Sequence, residues 1–205
     1  MSDFYLGLDL GQASDFTAIT VIERVAGEPT VYHLRHLERA KLGTPYPAIV
    51  ARVKELIETP PLAGHCVVVA DATGVGAPVI DLLRAARLRL APVTITAGDI
   101  VSHDPASGVW RVPKRDLVFA LLTALQTGAL LIADGLALAP ILIKELLGFK
   151  VRIDPQTAHD SYAAWREGEH DDLVLSAAMA IWYARRDEGD FLTYLHSLYG
   201  SQSKG

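Results

Sequence analysis

The segment that most narrows the fold is Cys66 to Asp71 (CVVVAD), five apolar residues in a row closed by an acid. A strand with one wet face alternates apolar and polar side chains, so this unbroken run predicts a strand covered on both faces. Such strands belong to sheets with helices above and below. The flanking segments agree. Residues 4–9 (FYLGLD), 16–23 (FTAITVIE) and Val31 to Leu37 read as strands, parted by turns at Gly11 to Asp15 and at Gly27-Glu28-Pro29. Three strands with short connections predict an antiparallel meander. The right-handed crossover rule then sets the 66–70 strand parallel to the first and beside it.

Downstream of the meander the apolar period becomes helical. Ile49, Val53, Leu56 and Ile57 mark a helix ending before Pro60-Pro61, and Val75, Val79, Leu82, Leu83 and Ala86 mark a second, followed by a strand at Val93 to Thr96. Leu117, Val118, Leu121, Leu122 and Leu125 define a third helix opened by Pro113, and a shorter one follows Pro140 to about Gly148. Phe149 to Ile153 and Ser161 to Trp165 suit a hairpin. The last helix, from about Asp171 to Arg186, is apolar nearly all round and is expected to be buried on more than one side. The expected fold is a single α/β domain over residues 1–190. Its mixed sheet has three antiparallel strands and then parallel ones, with helices on both faces and a polar, frayed tail over 191–205.

Several function classes drop out. The lone Cys66 excludes an internal disulfide framework and a multi-cysteine zinc site. No run approaches the roughly 18 to 20 apolar residues of a membrane span. Strand-like residues from Phe4 onward leave no room for a cleaved signal, so a reducing, cytoplasmic setting is expected. A net charge of −5 speaks against a general polyanion binder. It is compatible with clustered acids flanked by a local basic rim.

The acids are placed for chemistry. Asp9 closes the first strand and Asp71 the fourth, so parallel neighbours bring both carboxylates to one carboxyl edge, where open α/β sheets bind ligands. Glu169-His170-Asp171-Asp172 stands directly before the buried helix, whose free N–H groups favour ionised carboxylates. Acids converging from separate elements need a counter-charge, and Mg²⁺ or Mn²⁺ is the natural one. Two such ions suit phosphodiester hydrolysis. Each acid also has a structural alternative. Asp71 before Ala-Thr-Gly suits a turn acceptor, and Asp171 or Asp172 suits an N-cap, the commoner role at a helix start. Asp9 is harder to explain structurally, because an acid ending a buried strand needs a partner. Asp15 reads as a turn acceptor or an outer neighbour of a metal site, and His170 as a surface residue or one orienting a carboxylate.

Leu8-Asp9-Leu-Gly-Gln-Ala-Ser-Asp15-Phe-Thr17, Val69-Ala-Asp71-Ala-Thr-Gly-Val-Gly76, Val112-Pro113-Lys114-Arg115-Asp116-Leu117 and His170-Asp171-Asp172-Leu-Val174 together resemble the nuclease domain of tailed-phage terminase large subunits, over residues 4 to 186. The resemblance implies an RNase H-like fold and endonuclease cleavage of double-stranded DNA during genome packaging. It also implies two Mg²⁺ or Mn²⁺ ions held by Asp9, Asp71 and the Asp171-Asp172 pair, with Asp172 placed ahead of Asp171 as the direct ligand. Lys114 and Arg115 are the candidate phosphate contacts. No G-x-x-x-x-G-K-[ST] loop is present, so the implied partners include a separate packaging ATPase, a small terminase subunit or a portal, in the cytoplasm of a bacterial host. Three alternatives stand beside this reading. One is a Holliday-junction resolvase-like nuclease of the same fold. A second is an ATP-binding actin or sugar-kinase-like domain, on Gly7-Leu-Asp9-Leu-Gly11 and Thr17. The third is a non-catalytic DNA-binding module.

Overall fold

Alternate residues of the first strand pack into two different cores. In the computed structural model, which describes residues 2–11, 15–74, 76–148, 152–153, 160–161 and 171–199, β1 (Ser2–Asp9), β2 (Ala18–Val25) and β3 (Val31–Arg39) form the antiparallel meander read from sequence. Helix α1 (Tyr46–Glu58) buries Ile49, Val50 and Val53, and leads to β4 (Cys66–Asp71), buried along its whole length. β4 lies parallel to β1 with Leu8 opposite Ala70. Then come α2 (Gly76–Ala85), β5 (Leu90–Thr96), β6 (Ser102–Asp104), β7 (Val109–Pro113), α3 (Lys114–Gln126), β8 (Leu130–Ile132), α4 (Ala139–Gly148), β9 (Arg152–Ile153), β10 (Asp160–Ser161) and α5 (Asp172–Tyr199).

Eight strands make one sheet in the order β6-β7-β5-β4-β1-β2-β3-β8, and β9 and β10 pair separately. Phe4, Leu6, Leu8, Val68 and Ala70 join Ile49 and Val53 of α1 and Val79 and Leu83 of α2 in one core. Tyr5, Val67 and Val69 join Leu117 and Leu121 of α3 and Val174, Ala177 and Ile181 of α5 in the other. Helices therefore cover both faces, and β4 is apolar throughout because neither of its faces meets water. Among the described residues no helix is long and apolar enough to cross a membrane.

Three strands carry too little pattern to be read from sequence. β6 is three exposed residues held by backbone pairing to β7, and β8 adds three residues to the free edge of β3. β7 ends on Pro113, which then stands at the start of α3. The hairpin is present as a two-residue ladder, Asp160 opposite Ile153. Its outer residues, 149–151 and 162–165, lie outside the described residues. The final helix is longer than expected. It continues past Arg186 to Tyr199, so residues 191–199 are helical instead of a polar tail. Phe191, Leu192, Leu195 and Leu198 restore a helical period there.

α5 crosses β1 at Gly7, and the crossing is close. A Cβ on Gly7 would sit 1.8 Å from the Ser176 carbonyl oxygen and 3.3 Å from the Ala180 Cβ. Beside it the Thr20 and Ser176 hydroxyls share a buried 2.7 Å hydrogen bond. Since the obstacle is helix backbone, Gly7→Ala is expected to destabilise the fold by about 3 kcal/mol, the upper end for overpacking. Chemical denaturation measures this, and an unchanged midpoint would show that the crossing is not tight.

Candidate active site

Parallel pairing of β1 and β4 brings their last residues to the same sheet edge, so Asp9 and Asp71 stand side by side, each 9% exposed. Asp71 Oδ1 accepts the Thr73 N–H at 2.8 Å, and Thr73 Oγ1 accepts the Ile95 N–H at 2.9 Å. The turn role expected for Asp71 is thus real, and it holds the carboxylate at the edge. Gly76 is glycine for space, since a Cβ there would lie 2.3 Å from the Asp71 carbonyl oxygen. After β1, the Gly11 N–H donates to Thr17 Oγ1 at 3.1 Å and folds the chain back toward β2.

The third contribution comes from the start of α5, placed over this edge by its crossing at Gly7. The Asp171 carbonyl accepts the Leu175 N–H at 2.9 Å, the opening bond of the helix. The Val174 N–H, which a capping aspartate would have taken, is satisfied by Glu145 Oε2 of α4 at 3.1 Å. Both aspartate side chains are therefore turned to other partners. Asp171 Oδ2 accepts Lys114 Nζ at 2.6 Å. Asp172 receives Arg39 on both oxygens, Nε to Oδ2 at 2.7 Å and Nη2 to Oδ1 at 2.9 Å, and the same Arg39 Nη2 also pairs with Glu145 Oε1.

The four aspartates share one electrostatic neighbourhood. Burial pushes the Asp9 carboxyl well above its ordinary range, repulsion from Asp71, Asp171 and Asp172 adds to this, and Lys114 opposes it. Burial raises Asp71 as well, against its hydrogen bonds to Thr73. Hard oxygen donors gathered around a buried, repelled carboxyl are the chemistry that a divalent cation answers. The ligating geometry is not preformed: among the described residues no group of three His, Cys, Asp or Glu side chains is close enough to hold an ion. Lys114 and Arg39 hold Asp171 and Asp172 instead. A cavity of about 810 Å³ at the far end of β1, lined by Phe4, Val21, Arg52 and His65 among others, touches none of these aspartates.

No family model matches the chain. In sequence it is 25% identical over 177 residues to the terminase large subunit of Thermus phage G20c, across 86% of this chain and 31% of that protein. The chain thus spans about a third of the length of the curated relative it matches. Among solved structures it superimposes on the large terminase nuclease of the thermophilic phage G20c with a TM-score of 0.64 and 24% identity, covering 87% of this chain and 81% of that one. The nuclease domain of the bacteriophage SPP1 large terminase, solved with bound Mn, gives 0.53 at 13% identity, over 90% and 86% of the two chains. The fold is that of the large terminase nucleases.

On this fold the residues singled out from sequence fall into two groups. Asp9, Asp71, Asp171, Asp172 and Lys114 come together. Arg115 turns away, pairing with Asp99 Oδ1 at 2.6 Å and donating to the Asp99 carbonyl at 3.1 Å. Asp15 is exposed, beside Lys41 and Thr44 at a shallow cavity of about 170 Å³. His170 lies outside the described residues. Sequence reasoning missed Arg39 and Glu145. Arg39 was within reach of it: Asp9 pairs with Ala18 and Ala18 with Arg39, so the meander sets all three in one row at the sheet edge.

The raised carboxyls set a pH dependence. Glu145 is pushed from 4.5 to about 7 by burial and by Asp172, with Arg39 and the Val174 N–H opposing. A carboxyl raised in the folded state holds a proton there that the unfolded chain has released, so its contribution is lost as pH climbs from the unfolded toward the folded value. Asp9 and Asp71 act in the same direction. The metal-free protein is expected to unfold at lower temperature near about pH 8 than near about pH 5, with a divalent cation reducing the difference. Thermal scans across that range test it, and a midpoint that rises with pH contradicts it.

Proposed function

We propose that this chain is a metal-dependent endonuclease that hydrolyses phosphodiester bonds of double-stranded DNA, as in the cutting of concatemeric phage DNA during packaging. The observation that carries the reading is the convergence of Asp9, Asp71 and the Asp171-Asp172 pair from three separate elements on one sheet edge, with Asp9 buried among the others. Asp9, Asp71 and one or both of the pair would hold two Mg²⁺ or Mn²⁺ ions. The bound ions would supply an activated water and stabilise the charge on the leaving oxygen. The solved SPP1 domain contains Mn and the G20c nuclease has been solved with zinc, which supports a divalent cation here.

The chain's own residues do the positioning. β1 and β4 hold Asp9 and Asp71 in fixed register, and the Thr73 N–H orients the Asp71 carboxylate. Lys114 neutralises Asp171 and, once released, is a candidate cation for a DNA phosphate. Arg115, on the next residue, would need to leave Asp99 to do the same. Cutting during packaging would require an ATPase, on this or another chain, to move the DNA, with a small terminase subunit or portal as further partners in the bacterial cytoplasm.

The test is cleavage of supercoiled plasmid with Mn²⁺, Mg²⁺ or EDTA. Nicked and linear products are expected with either ion and none with EDTA. Folded protein that cuts with neither ion would overturn the proposal, and preferential cutting of four-way junctions over linear duplex would move it to a resolvase.

A further inference from the structure

Asp171 and Asp172 are chemically identical neighbours, yet the fold treats them differently. Both oxygens of Asp172 are taken by the Arg39 fork at 2.7 and 2.9 Å, and its side chain is 6% exposed. Arg39 reaches Glu145 with the same Nη2, and Glu145 caps the Val174 N–H at 3.1 Å. This closed set ties the end of β3, helix α4 and the first turn of α5 together. Arg39 sits in the β-sheet row that contains Asp9, so the clamp fixes the start of α5 relative to Asp9. Asp171 lies one residue earlier. Its side chain is 21% exposed, and it accepts a lysine ammonium, that of Lys114, at 2.6 Å from a flexible stem.

We propose that the adjacent aspartates divide the work: Asp171 is the metal ligand, and Asp172, clamped by Arg39 and Glu145, is a positioning residue that aims Asp171 toward Asp9 and Asp71. This rests on the metal-site reading above and goes beyond it in assigning Arg39, Glu145 and Asp172 a shared role. The physical reason is exchange. A divalent ion replaces a single flexible ammonium on Asp171 without breaking the fold. At Asp172 it would have to displace a bidentate guanidinium and leave that charge buried beside Glu145 alone. A carboxylate held by its neighbours also loses less freedom when an ion arrives. Outer residues that orient metal ligands typically alter affinity by about 10- to 100-fold when changed.

The experiment is Mn²⁺ binding to the full chain by calorimetry and by the electron paramagnetic resonance of bound Mn²⁺, with unfolding followed in parallel. Asp171→Asn should lose Mn²⁺ binding with little loss of stability. Asp172→Asn should unfold at lower temperature but, where folded, bind Mn²⁺ within about tenfold of the parent. Arg39→Lys keeps the charge and loses the fork, and should weaken Mn²⁺ binding by about tenfold although no ligand is removed. Folded Asp172→Asn that no longer binds Mn²⁺ overturns the division, as does Asp171→Asn that binds normally. Should Asp172→Asn not fold, Asp171→Asn alone decides. Unchanged affinity in folded Arg39→Lys removes the positioning role. Asp9→Asn is the control: if it binds Mn²⁺ like the parent, the metal-site reading itself has failed.

Discussion

Asp9→Asn is expected to abolish DNA cleavage, lowering its rate by about a thousandfold or more, while the metal-free protein stays at least as stable as the parent. The two effects have one cause. Asp9 is buried at the end of β1, and its charge is disfavoured by burial and by three neighbouring aspartates. An amide of the same shape removes that repulsion, so unfolding of the metal-free variant should come at the same or a higher temperature. The same change removes a carboxylate oxygen from the proposed metal site. Metal ions contribute several kcal/mol of transition-state stabilisation, and about 4 kcal/mol corresponds to roughly a thousandfold in rate. Single-turnover plasmid cleavage in Mn²⁺ measures the first effect and thermal unfolding in EDTA the second. Cleavage within tenfold of the parent would remove Asp9 from the active site. A large fall in metal-free stability would mean that the Asp9 carboxylate makes a stabilising contact within the fold.

Arg39→Ala should lower stability substantially and in a pH-dependent way. Arg39 is the shared cation of two acids whose side chains are each only 6% exposed, Glu145 and Asp172. Removing one partner of a buried ion pair typically costs about 3 to 5 kcal/mol, because the remaining charge is left uncompensated. The lower end, about 3 kcal/mol, is expected here, since Glu145 already lies near neutrality with a value of about 7 and takes up a proton once Arg39 is gone. The loss should accordingly be greatest above that value and shrink on acidification. Denaturant titrations at two pH values check both the size and the direction. A loss independent of pH would mean that Arg39 acts by packing its stem, not by neutralising the acids.

Much of the site was legible because it obeys local rules. An acid ending a buried strand needs a partner, which singled out Asp9, whereas Asp71, with Gly74 and Gly76 behind it, suited a turn as well as a site. Parallel pairing followed from the crossover between their strands, and the register bears it out. The short strands β6 and β8 were not legible, since three residues held by backbone pairing need no side-chain pattern. Gly7, noted in the sequence only as part of the motif behind the ATP-binding alternative, is required to be small by the close approach of Ser176. The capping role offered for Asp171 or Asp172 was a sound local inference. It was overridden by Glu145, which supplies the Val174 N–H from another helix.

From the residues alone come the sheet with helices on both faces, the edge at which the acids gather and the kind of ion they suit. These depend on period and spacing, which act over a few residues. What distinguishes Asp171 from Asp172 depends on Arg39, 133 positions from Asp172 and 106 from Glu145. Two adjacent, identical carboxylates have the same local propensities, so nothing along the chain separates them. Their partners do, and those partners meet only when the sheet has paired and α5 has settled across Gly7.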